Sequence, residues 1–63
     1  MHKEKDMYAI YGLIDNLRLW SEVKNVCNLS AFNKKSLCEY LVNEQGFTYD
    51  TFKMFLIESN FME

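Results

Sequence analysis

The stretch FNKKSLCEYLVNEQGFTYDTFKMF, Phe32 to Phe55, decides the fold. It reads as helix, tight turn, helix, with Gly46 at its centre. Asn33 can cap a helix through its side-chain oxygen, and Phe32 before it and Leu37 after it form a hydrophobic staple across that start. At the other end Gly46 supplies the left-handed residue that closes a helix, and Phe47 folds back on Val42 as the apolar contact of a Schellman ending. A second start follows at once. Thr48 is its N-cap, Asp50 places an acid in the first turn where the helix dipole favours it, and Phe47 staples to Phe52. The signals predict helices over about 34–45 and about 49–60.

Working back towards the N-terminus, Glu4 and Asp6 suit the start of a first helix that runs to about Trp20 or Val23. Met7, Ile10, Ile14 and Leu17 lie on one stripe, flanked by Leu13 and Trp20, while Tyr8, Leu19, Val23 and Val26 fall on a second, weaker one. Gly12 costs a helix interior up to about 1 kcal/mol relative to Ala. Either another backbone approaches closely there, or the glycine is simply tolerated. Residues 24–33 hold the break, since Asn28, Ser30 and Asn33 all form turns or caps. In the second helix Leu37, Cys38, Leu41 and Val42 face inward, with Tyr40 on the shoulder. In the third the inward set is Tyr49, Phe52, Phe55 and Leu56, and Met54, Ile57 and Phe61 gather on the other side. The expected architecture is all-α: one domain, 1–63, of three helices with a helix-turn-helix-like second half.

A single domain of 63 residues buries only about 60% of the surface its unfolded chain exposes, so each core side chain matters. Apolar residues make up 49% and aromatics 16% of the chain, more than one small core needs, which excludes disorder and points to an apolar contact surface. Met54, Ile57 and Phe61, with Tyr8 and Leu19, are the candidate contact residues for a protein partner or a second copy in a homodimer. The competing expectation makes the third helix central, with the first crossing its far side so that both stripes are internal. Tyr8, Tyr11, Trp20, Tyr40 and Tyr49 are side chains of the kind that dominate interfaces.

The net charge is −2, without the positive balance that phosphate neutralisation needs. The charge is unevenly spread: residues 1–35 hold six bases and four acids, and 36–63 hold Lys53 and five acids. Lys34 and Lys35, an adjacent basic pair, sit against the dipole at a helix start and are the candidate contact for something acidic or anionic. Scattered acids and a lone His2 give no catalytic constellation, so an enzyme is not expected. Cys27 and Cys38 are too far apart for a CxxC pair and read as buried thiols in a reducing cytosol. No cofactor or metal is expected. With a charged start and no run of about 18 apolar residues, the expected location is cytoplasmic, with no membrane span.

Leu41, Gly46, Phe47, Phe52 and Phe55 resemble the DNA-binding helix-turn-helix at its turn glycine and apolar positions. Val42 stands where that family carries a small residue and Gln45 where it carries an apolar one. The would-be recognition face holds Thr48, Asp50, Thr51, Lys53, Met54, Ile57 and Glu58, whereas groove readers place Arg, Lys, Asn or Gln there. In overall character, Pro-free, aromatic-rich, acidic and short, the chain resembles the small accessory proteins of lambdoid-type temperate phages, encoded in their early regions. That resemblance carries no functional residue. It implies an all-helical protein, made early in infection, that binds a host or regulatory protein; small bacterial regulators have the same character. The expected function is therefore a non-enzymatic protein-interaction module, with a DNA-binding helix-turn-helix transcriptional regulator as the alternative.

Overall fold

The computed structural model describes residues 3–28 and 33–63. The chain is all-helical, with no strand among the described residues: α1 (Lys3–Leu17), α2 (Trp20–Val26), α3 (Lys34–Glu39) running on into a π-helical turn (Tyr40–Glu44), and α4 (Tyr49–Glu58). The expected staple from Phe32 to Leu37, like His2 and Ser30, lies outside the described residues.

The central stretch folds as its caps dictate. Asn33 Oδ1 accepts the Ser36 N–H at 2.7 Å and starts α3. Thr48 and Thr51 form a reciprocal capping box at the start of α4: the Thr48 N–H donates to Thr51 Oγ1 at 2.8 Å, and the Thr51 N–H to Thr48 Oγ1 at 3.3 Å. A carboxylate from far along the chain joins them, since Asp6 on α1 accepts the Tyr49 N–H at 3.2 Å. Between the two starts Gly46 has φ +74°, and the Phe47 N–H closes back onto the Leu41 carbonyl at 3.0 Å. The Phe47 ring stands edge-on to Phe52 at 5.3 Å and lies 5.6 Å from Phe55, the expected staple.

The expected first helix is two helices. It breaks at Arg18, which takes φ +55°. The Arg18 N–H donates to the Asp15 carbonyl at 3.2 Å and the Leu19 N–H to the Ile14 carbonyl at 3.1 Å, the hydrogen-bond pair of a Schellman motif with arginine where glycine is usual. α4 ends the same way at Asn60, φ +65°, with Asn60 N–H to Ile57 at 3.1 Å and Phe61 N–H to Leu56 at 2.9 Å. Asn28, φ +59°, closes α2. The residue after three of these left-handed positions, Leu19, Phe47 or Phe61, packs against the core. The break rotates α2 so that Val23, expected on the weaker stripe, is fully buried, while Val26 stays exposed.

The core is Ile10 and Ile14 from α1, Val23 from α2, Leu37, Cys38, Leu41 and Val42 from α3 and its π-turn, and Phe52 and Leu56 from α4, with no buried polar or charged residue among those described. α1 is the hub, packing on α3, the π-turn and α4. The alternative with the third predicted helix at the centre is thereby corrected: Ile10 and Ile14 give α1 that place. Of the expected inward residues Met7, Tyr49 and Phe55 are half-buried, and Leu17 is exposed.

The two glycines have opposite consequences. A Cβ at either would meet nothing within 4 Å among the described residues, so Gly12 marks no close approach there and weakens α1. Gly12→Ala is expected to raise stability by about 0.5–1 kcal/mol, whereas Gly46→Val lowers it by more than about 1 kcal/mol through backbone strain alone. Urea denaturation of the two variants beside the parent measures both.

Candidate interaction surface

α1 presents its outer face beside α3. Tyr8 is 74% and Tyr11 36% exposed, and with Met7, Lys35 and the edge of Cys38 they line a largely apolar groove of about 280 Å³. Tyr8 and Lys35, expected as contacts for separate reasons, are thus brought to one place. The periodicity of α1 explains it: Met7 and Tyr11 are four residues apart and flank the buried Ile10 on the side where α3 crosses.

The groove continues into a second, polar cleft through a ring contact. Tyr11 stands edge-on to Trp20 with centroids 5.0 Å apart, an approach created by the break at Arg18. The Trp20 indole N–H donates to Asp15 Oδ1 at 3.2 Å. Lys34, the other expected basic contact, places its Nζ 3.7 Å from the same oxygen and 5.4 Å from the indole ring centre. The pair is exposed on both sides and contributes little to stability. Arg18, Asn16 and Ser21 complete one wall, and Lys24, Asn33 and Leu37 the adjoining one.

The remaining candidates are scattered. Met54 is exposed, the one large apolar side chain of α4 that is; Ile57 is half-buried; and Phe61 is turned onto the core by the left-handed Asn60. Leu19 packs against the core after Arg18 in the same manner. Of the expected patch, Met54 is thus exposed, Ile57 is half-buried without packing on the core, and Phe61 is half-buried against it. Residues that periodicity did not single out for this face, Met7, Arg18, Lys24 and Cys38, line it instead.

Cys27 and Cys38 are free thiols. Burial pushes both up from the ordinary thiol value, Cys38 to about 11. Each is protonated at neutral pH and a poor nucleophile. Among the described residues no cluster of His, Cys, Asp and Glu is arranged to hold a metal ion, and no helix is long and apolar enough to cross a membrane. No protein-family model, curated protein or solved structure matches this chain.

Two outcomes follow from these placements. Met54→Lys is expected to leave the unfolding midpoint within about 0.5 kcal/mol of the parent, while Phe61→Lys lowers stability by about 1–2 kcal/mol, a part of the value of full burial since Phe61 is half-buried against the core; thermal melts by circular dichroism compare them. The second concerns pH. Because the folded Cys38 thiol titrates at about 11, above its ordinary 9.0, its contribution is intact below pH 9.0 and is lost as pH rises towards 11. The fall in stability across that window is smaller in Cys38→Ala, read from denaturation midpoints at successive pH values.

Proposed function

We propose that this chain is a non-enzymatic protein-interaction module, a small regulatory or accessory protein of a lambdoid-type temperate phage or of a bacterium. It acts in the cytoplasm, the host's if phage-encoded, by binding a host or regulatory protein, and it self-associates. The observation that carries this reading is the apolar groove between α1 and α3. The core closes without Tyr8, yet that ring stands in solvent beside Tyr11 and Met7 with Lys35 at the lip. Aromatic side chains with an apolar body and a polar tip, rimmed by cations, are what interfaces are made from.

The positive φ of Gly46 between two capped helices favours the DNA-binding alternative, in which the second half acts as a helix-turn-helix. Two features weigh against it. The first helix of the pair ends in a π-turn, and the exposed residues of α4, Asp50, Thr51, Lys53, Met54 and Glu58, offer one base against two acids to a phosphate-lined groove. The scaffold is therefore read as a support for protein contacts.

Tyr8→Glu separates the readings, since a side chain so exposed can be changed without loss of fold. The variant is expected to keep the helical circular dichroism of the parent and to lose the protein that the parent captures from host lysate. Retention of the parent on duplex DNA that is released by added salt, with capture unaffected by Tyr8→Glu, would overturn this assignment in favour of DNA binding.

A further inference from the structure

The cleft beside the groove has a chemistry of its own. Its walls and the lip of the groove carry Arg18, Lys24, Lys34 and Lys35 against the single carboxylate of Asp15. That carboxylate takes the indole N–H of Trp20 at 3.2 Å and faces Lys34 Nζ at 3.7 Å. The arrangement is a carboxylate site filled from within the chain: one neutral donor, one cation and an aromatic wall. Arg18, Lys24 and Lys35 make no ion pair among the described residues. We propose that this cleft receives an acidic segment of the partner protein, whose carboxylates meet Lys34, Lys24 and Arg18 while an apolar side chain of the same segment enters the groove at Tyr8 and Tyr11. The proposal rests on the protein-interaction reading and names the chemistry of the partner.

Three observations favour an acidic protein segment over a nucleic acid. The aromatic ring of the cleft itself is engaged, since Lys34 lies over the indole of Trp20 and Tyr11 stands edge-on to it, which leaves Tyr8 in the apolar groove as the open ring. The apolar groove adjoining the cations has room for a side chain, which a sugar-phosphate backbone does not possess. Four cations on a chain of net charge −2 also make a short footprint, matched to a few carboxylates rather than to a run of phosphates. The backbone at Arg18 supports the same conclusion. A left-handed closing position is most cheaply filled by Gly or Asn, and the chain does use Gly46, Asn28 and Asn60 at three such positions. An arginine at the fourth, with its side chain on the wall of the cleft, is kept at a cost in stability.

Trp20 is the only tryptophan, so its fluorescence reports the cleft directly. Titration with poly-L-glutamate at low salt is expected to change its emission saturably, with the effect falling as salt is raised, and a polyglutamine peptide is expected to do nothing. Lys24→Gln with Lys34→Gln weakens the midpoint by about tenfold or more. Asp15→Asn strengthens it, because the internal competitor has lost its charge. Arg18→Gly weakens it while melting no lower than the parent, the opposite of what a purely structural role for Arg18 would give. Unchanged affinity in Asp15→Asn, or an emission change with duplex DNA at lower concentration than with polyglutamate, would overturn the proposal. An emission change on raising protein concentration alone would do the same, by making a second copy the occupant. If lysate capture is lost in Tyr8→Glu but untouched by the two lysine changes, the interaction module stands and the acidic partner falls.

Discussion

Ile10 and Ile14, one turn apart on α1 and fully enclosed, are the constraint to which the other contacts answer. α3, its π-turn and α4 all pack on this helix, and α4 is tied to it a second time where Asp6 takes the Tyr49 N–H. In so small a domain the hydrophobic term is limited by the few side chains that can be enclosed. The helix must therefore be met on more than one side, and the large aromatic side chains it leaves exposed are Tyr8 and Tyr11. The groove lies where α3 crosses this helix and covers it incompletely.

What was legible in the sequence was legible through local chemistry. The run from Asn33 to Phe52 names its helix starts, and both fold as their residue types require, because an N-cap depends on hydrogen bonds within a few residues. The ending at Gly46 instead closes across six residues, from the Phe47 N–H to the Leu41 carbonyl, after a π-turn that no local signal announces. The inward set Leu37, Cys38, Leu41 and Val42 is buried in full, since helical periodicity and a single packing direction suffice to place it. The break at Arg18 was not legible. Arginine carries no left-handed preference, and the amphipathic pattern continues past it, so the chain reads as one helix through Trp20. Three errors of placement follow from that residue or its counterpart Asn60: Val23 becomes core, and Leu19 and Phe61 are recruited to close helix ends instead of facing outward. A sign was present in retrospect. Arg18, Gly46 and Asn60 are each followed by a large apolar residue, the signature of a Schellman closure.

The candidate surface was legible in composition but not in place. Excess aromatic content and the Lys34–Lys35 pair announced an aromatic and basic contact face. Its location needed tertiary structure, because the packing of α3 on α1 brings Lys35 to Tyr8, and the turn at Arg18 brings Trp20 to Tyr11. The same turn puts Asp15 under Lys34 and the indole, so a single backbone conformation builds the reversal, the aromatic contact and the charge arrangement.

The π-turn at Tyr40–Glu44 adds a constraint of counting. Its marker is the Gln45 N–H reaching back five residues to the Tyr40 carbonyl at 3.1 Å, which accommodates one more residue than an α-turn. Each residue of an ordinary helix advances the chain about 100° around its axis, so that extra residue sets the compass bearing on which Gly46 and Phe47 leave. Asn43 and Glu44 are exposed and chemically replaceable, yet neither is dispensable in number. Deleting either would preserve every apolar residue of the domain while aiming α4 away from the helix it must meet. In this segment the number of residues constrains the fold more tightly than their identity.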